Sequence, residues 1–117
     1  MKVLIVDDND MMREVIGTFL GQLKHEILGE AENGDEAIKS FTALRPDLVL
    51  LDMVMPGKSG LEVLEEIRKI DPKAKVVVIT AVEQEGIDKK IYEKGATAII
   101  RKPFSCDELE KALKLLA

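Results

Sequence analysis

Short apolar runs recur along the chain at Val3 to Val6 (VLIV), Leu48 to Leu51 (LVLL), Val76 to Ile79 (VVVI) and Ala98 to Ile100 (AII). None alternates with polar residues, so each reads as a strand buried on both faces, as in a parallel sheet covered by helices. A weaker strand, EILGEA, starts at Glu26. Between the runs the period becomes helical. Met11, Met12, Val15, Ile16, Phe19, Leu20 and Leu23 form one apolar stripe, with both methionines read as core, and Ala37, Ile38, Phe41 and Leu44 form another. Leu61, Leu64 and Ile67 begin a third helix after Gly60, and Ile87 with Ile91 supports a shorter fourth. Ser105 followed by Glu108 is a capping box ahead of Leu109, Leu113 and Leu116. Turn formers fall between these segments at Asn33-Gly34, Arg45-Pro46, Asp71-Pro72 and Gly95.

Strand followed by helix, five times over, predicts an α/β fold: a five-stranded parallel doubly wound sheet flanked by five helices, with right-handed crossovers. The 117 residues, 46% of them hydrophobic, are expected to form one domain over 1–117 with a core of its own. Seventeen basic and 22 acidic residues leave a net charge of −5, which argues against a sequence-independent grip on nucleic acid. No apolar run approaches the roughly 20 residues of a membrane helix. Cys106 is the only cysteine, and the chain enters its first strand directly after Met1-Lys2 with no apolar leader. A reducing, cytoplasmic setting is therefore expected.

In open α/β sheets, ligands bind beyond the carboxyl ends of the strands, where the strand order reverses. Asp7 and Asp8 follow the first strand, Asp52 follows LVLL, Thr80 follows VVVI, and Lys102 lies two residues past AII. Each alone has an ordinary explanation, since Asp and Thr are common helix caps and loop formers. Together they would place three carboxylates, a hydroxyl and an ammonium on one rim, and the carboxylates would repel unless a cation joined them. A hard divalent ion such as Mg²⁺ takes oxygen ligands and is commonly held by one or two carboxylates plus phosphate oxygens. A carboxylate beside it can attack a phosphoryl group and carry it as an acyl phosphate, with Thr80 and Lys102 offsetting the charge.

On these residues the chain resembles the receiver domains of two-component response regulators, the CheY-like family. The motifs are VDD closing the first strand, LLDMVMPGKSG around Asp52, ITA around Thr80 and RKPF around Lys102, and the resemblance covers the whole chain. It implies the strand order 2-1-3-4-5, Asp52 as phospho-acceptor, and Mg²⁺ held by Asp7, Asp8, Asp52 and the Val54 carbonyl. It further implies Thr80 and Lys102 on the phosphoryl group, a cis Lys102-Pro103 bond, and a histidine kinase as donor. Such a protein signals rather than turning over a substrate. NDMMR after the aspartates is a weak pointer to the stand-alone chemotaxis type. The lone His25 precedes the second strand, so the donor is expected to be a separate protein.

Three positions depart from the family pattern. Ile99 stands where an aromatic residue usually lies three before the lysine, and it has no ring to swing. Val54 and Val82 occupy two positions that tune phosphate lifetime, and neither can orient a water. Residues 86–117 carry seven Lys or Arg against five Asp or Glu, whereas residues 1–85 carry ten against 17. That asymmetry would suit an acidic output protein docking on the fourth helix, fifth strand and fifth helix. Surface lysines more often serve only solvation. Three alternatives remain open at this level. One is a receiver excised from a larger DNA-binding or enzymatic regulator. Another is an aspartyl-phosphate hydrolase using Asp8 and Asp10. The third is a flavin module, which the acidic residues after the first strand would disfavour.

Overall fold

A computed structural model describes residues 1–81 and 86–116. Its elements are β1 (Lys2–Val6), α1 (Asp10–Gln22), β2 (Glu26–Ala31), α2 (Gly34–Leu44), β3 (Leu48–Asp52), α3 (Gly60–Ile70), β4 (Lys75–Thr80), α4 (Ile87–Glu93), β5 (Ala98–Arg101) and α5 (Cys106–Lys114). The five strands form one sheet in the order β2-β1-β3-β4-β5, and every pairing is parallel.

The apolar runs do not alternate because both faces of the sheet are covered. Val3, Ile5, Leu48, Leu50, Val77 and Ile79 face one layer with Ile16 and Leu20 of α1 and Leu109 and Leu113 of α5. Their neighbours Leu4, Val6, Val49, Leu51, Val76 and Val78 face the other, with Phe41 of α2, Leu64 and Ile67 of α3 and Ile91 of α4. Successive residues of one strand thus serve opposite layers.

Two expectations need correction. Met11 is 73% exposed and Val15 is also exposed, so the first helix does not bury its whole stripe. At about 100° per residue, Val15 and Met11 lie roughly 100° and 140° from Ile16, beyond the face that reaches the sheet. Met12 does pack against that core, as partly buried flank. β5 is only partly buried at Ala98 and Ile99, because an edge strand has a neighbour on one side alone. The capping box of Ser105 and Glu108 at the start of α5 is present as expected.

Helix starts and stops follow side-chain chemistry. Asn9, Asn33 and Ser59 each accept a bond from a backbone N–H in the first turn of α1, α2 and α3. α3 begins tight against the end of β3. The Gly60 N–H donates to the Met53 carbonyl at 3.0 Å, and a Cβ on Gly60 would lie 2.7 Å from the Asp52 carbonyl oxygen and from Met53 Cα. Glycine is required there by close approach to rigid backbone. Among the described residues, no helix is long and apolar enough to cross a membrane.

Two glycines should therefore respond oppositely to alanine. Gly60→Ala is expected to cost about 1–3 kcal/mol through overpacking. Gly21, in α1 with open space around its Cβ position, should gain about 0.5–1 kcal/mol on the same change. Urea unfolding of the two variants beside the parent measures both.

Candidate functional site

The carboxyl ends of β1 and β3 lie side by side at the centre of the sheet, and the chain leaves them for opposite faces, to α1 from β1 and to α3 from β3. That divergence opens a crevice. Asp7 is almost fully buried at its floor, with its N–H donating to the Ala31 carbonyl at 3.1 Å. Its carboxylate accepts from the Asn9 N–H at 2.9 Å, which tightens the turn into α1. Asp8, the next residue, projects into solvent. Asp52, buried at the end of β3, accepts from the Val54 N–H at 3.3 Å. One carboxylate oxygen from each of Asp7, Asp8 and Asp52 lies within 4.8 Å of the others.

Lys102 reaches this group from the far edge of the sheet. Its backbone N–H donates to the Thr80 carbonyl at 3.0 Å, which fixes the chain just beyond β5. Its Nζ stands 3.2 Å from Asp7 Oδ2 and 3.3 Å from Asp52 Oδ1. Thr80 is buried at the end of β4, one residue past Ile79, the register partner of Asp52. The Lys102-Pro103 bond is cis.

The segment from Met53 to Ser59 is held at several points. Met53 N–H donates to the Ile79 carbonyl at 3.1 Å, Met55 is buried in the core, and Lys58 Nζ contacts Glu66 at 2.8 Å and Asp35 at 3.4 Å. Between these anchors, Val54 is 63% exposed. Val82 lies outside the described residues.

Asp7, Asp8, Asp52, Thr80 and Lys102, singled out from sequence, thus share one rim. Asp10 does not join them: it is exposed and pairs with Arg13. His25 belongs to the opposite end of the sheet, before β2, where its Nδ1 lies 2.9 Å from the Met1 nitrogen. Sequence reasoning passed over Arg13, which donates to the Asp7 carbonyl at 2.5 Å. The available signal was a single cation set among apolar residues just after the acidic turn.

The family model for the response regulator receiver domain matches residues 3–114. The chain belongs to the response regulator receiver family. It is 42% identical over 117 residues to the chemotaxis protein CheY of Listeria monocytogenes, covering all of this chain and 98% of that one. It is 44% identical over 103 residues to protein CcdB of Bacillus subtilis, covering 88% and 86% of the two. Among solved structures, the CheX-CheY-BeF3-Mg²⁺ complex of Borrelia burgdorferi superposes with a TM-score of 0.96 at 28% identity, over 99% of this chain and 88% of that one. The role of a two-component response regulator follows, and receivers are signalling proteins rather than conventional enzymes.

The electrostatics of this receiver fit a divalent cation. Asp7, Asp8 and Asp52 carry three negative charges when ionised, and Lys102 returns one. Burial, then the charge of Asp7, pushes the Asp52 carboxyl up from 3.8 to about 6, against the opposing pull of Lys102 and the Val54 N–H. The unrelieved repulsion is what a hard, oxygen-seeking ion would remove, and the donors present are oxygens.

A carboxyl raised on folding binds its proton more readily in the folded state between about pH 4 and 6, so its contribution to stability falls as pH rises through that window. In EDTA, Asp52→Asn should match the parent near the bottom of the window and exceed it by on the order of 2 kcal/mol above its top. Urea unfolding of both proteins across that range measures the gap.

Proposed function

We propose that this receiver accepts a phosphoryl group on Asp52 from the phosphohistidine of a separate histidine kinase, in a Mg²⁺-dependent reaction. The observation that carries the reading is Lys102 Nζ poised between Asp7 and Asp52, with Asp8 completing an acidic cup. Asp7, Asp8, Asp52 and the Val54 carbonyl would hold the ion. When bound, Mg²⁺ supplies positive charge to the transferring phosphoryl oxygens and relieves the carboxylate repulsion.

The remaining steps belong to the chain. Asp52, whose ionised form a cation beside it would favour, presents an oxygen to phosphorus. A P–O bond forms as the P–N bond to the donor imidazole breaks, and the electron pair leaves with the nitrogen. Lys102 moves its ammonium from carboxylate to phosphoryl oxygen, and the Thr80 hydroxyl donates to a second one. His25, at the far end of the sheet, cannot serve as donor.

Output passes to another protein through the face formed by α4, β5 and α5. Its coupling differs from that of aromatic relatives, because Ile99 sits partly buried against the α2, α3 and α4 layer. The cytoplasm is the compartment in which such a kinase and output protein meet. The CheY relatives favour chemotaxis as the setting.

Incubation with a small phosphodonor such as acetyl phosphate should add one phosphoryl group to the intact mass, only with Mg²⁺ present and not in Asp52→Asn. No gain in the parent would overturn the reading. The product should also be long-lived, since the Val54 side chain has no group to orient a water. Val54→Gln is expected to speed phosphate loss by at least about tenfold, read from the decay of the phosphorylated mass.

A further inference from the structure

Arg13 sits in the second turn of α1 with 13% of its side chain exposed, less than the 20% of Lys102. Three partners account for its guanidinium. Nη1 donates to the Asp7 carbonyl at 2.5 Å, Nε to Glu30 Oε1 at 3.2 Å, and Nη2 pairs with Asp10. The group therefore spans α1, the end of β1 and the edge strand β2.

The Asp7 carbonyl and the Asp8 N–H belong to one planar peptide unit. The tilt of that plane sets the direction in which Asp8 leaves the backbone. The Asp7 carboxylate is anchored directly, by the Asn9 N–H and Lys102. Among the described residues, the exposed Asp8 carboxylate has no hydrogen bond or ion pair of its own. Its place in the acidic cup depends on the backbone beneath it.

We propose that Arg13 is a positioning residue for the cation site: its grip on the Asp7–Asp8 peptide aims the Asp8 carboxylate at the ion. This rests on the reading of Asp7, Asp8 and Asp52 as a Mg²⁺ cup. The charge of Arg13 cannot do this work. Glu30 and Asp10 already balance it, and any surplus positive field would weaken cation binding. Geometry and charge thus predict opposite signs. Losing the fork weakens Mg²⁺ binding if Arg13 aims Asp8, whereas losing the charge strengthens it if Arg13 acts only through its field.

The test is a Mg²⁺ titration of the ¹⁵N-labelled full chain by NMR, for the parent, Arg13→Lys and Arg13→Gln, with melting temperatures alongside. Lys keeps the charge but not the two-sided fork; Gln keeps an N–H donor without charge. Arg13→Lys is expected to raise the Mg²⁺ dissociation constant about 3- to 10-fold, the net scale of one ordinary hydrogen bond. It should also move the Asp8 amide resonance before any Mg²⁺ is added, with the rest of the spectrum retained. Arg13→Gln should weaken binding as well, despite removing a positive charge, and it carries the test if the Lys variant does not fold. Parent-like or tighter Mg²⁺ binding in both variants, with only a lower melting temperature, would overturn the proposal and leave Arg13 a structural tie. A parent that shows no saturable Mg²⁺ binding would overturn the reading of the cup itself, and this proposal with it.

Discussion

Like charges held close together in a poorly solvated crevice shape much of this receiver. Asp7 and Asp52 are buried within reach of each other, and Asp8 stands at the mouth. A carboxylate so placed would ordinarily turn outward or take up a proton, and the upward shift of Asp52 to about 6 records that tendency. The surrounding structure resists it. The Asn9 N–H fixes Asp7, the Val54 N–H fixes Asp52, and Lys102 spans both from the other side. The tight seat of α3 against β3 at Gly60 and the Lys58 contacts with Asp35 and Glu66 hold the loop that follows Asp52. Much of the rim is thus devoted to keeping an unfavourable arrangement in place.

Most of that arrangement was legible in the sequence, for a definite reason. A strand buried on both faces shows as an unbroken apolar run, so its end is marked by the first polar residue. Asp7, Asp52 and Thr80 are those residues, and the parallel topology then requires their strand ends to lie on one rim. What stayed hidden depended on contacts between segments. Met11 reads as core from its neighbours in the chain, yet the width of the face that α1 turns to the sheet leaves it in solvent. Arg13 gains its meaning from a backbone carbonyl and from Glu30, 17 residues away, which the pairing of β1 with β2 brings alongside. Neither partner leaves a mark on the residue type at position 13.

The acidic cup and the proposed output face occupy different parts of the fold. The acidic cup is built from β1 and β3 at the centre of the sheet, while Lys102 arrives from the edge strand β5, beside α4 and α5. Lys102 is therefore both a member of the site and the neighbour of Arg101, which pairs with Asp88 in the first turn of α4. A short covalent and ionic path joins the centre of the sheet to its edge, and Ile99 lies on the same side of β5 as that path.

The assignment of adjacent strand residues to opposite layers also limits how the family's sequences can vary in length. Leu48 and Leu50 face α1 and α5, while Val49 and Leu51 face α2, α3 and α4. Losing one residue from β3 would invert this parity, sending each side chain to the wrong layer while drawing Asp52 back from the rim. Losing two would restore parity but withdraw the carboxylate by about 7 Å. Evolution can therefore lengthen or shorten the loops above the rim far more freely than the strands that carry Asp7 and Asp52, whose lengths the chemistry counts residue by residue.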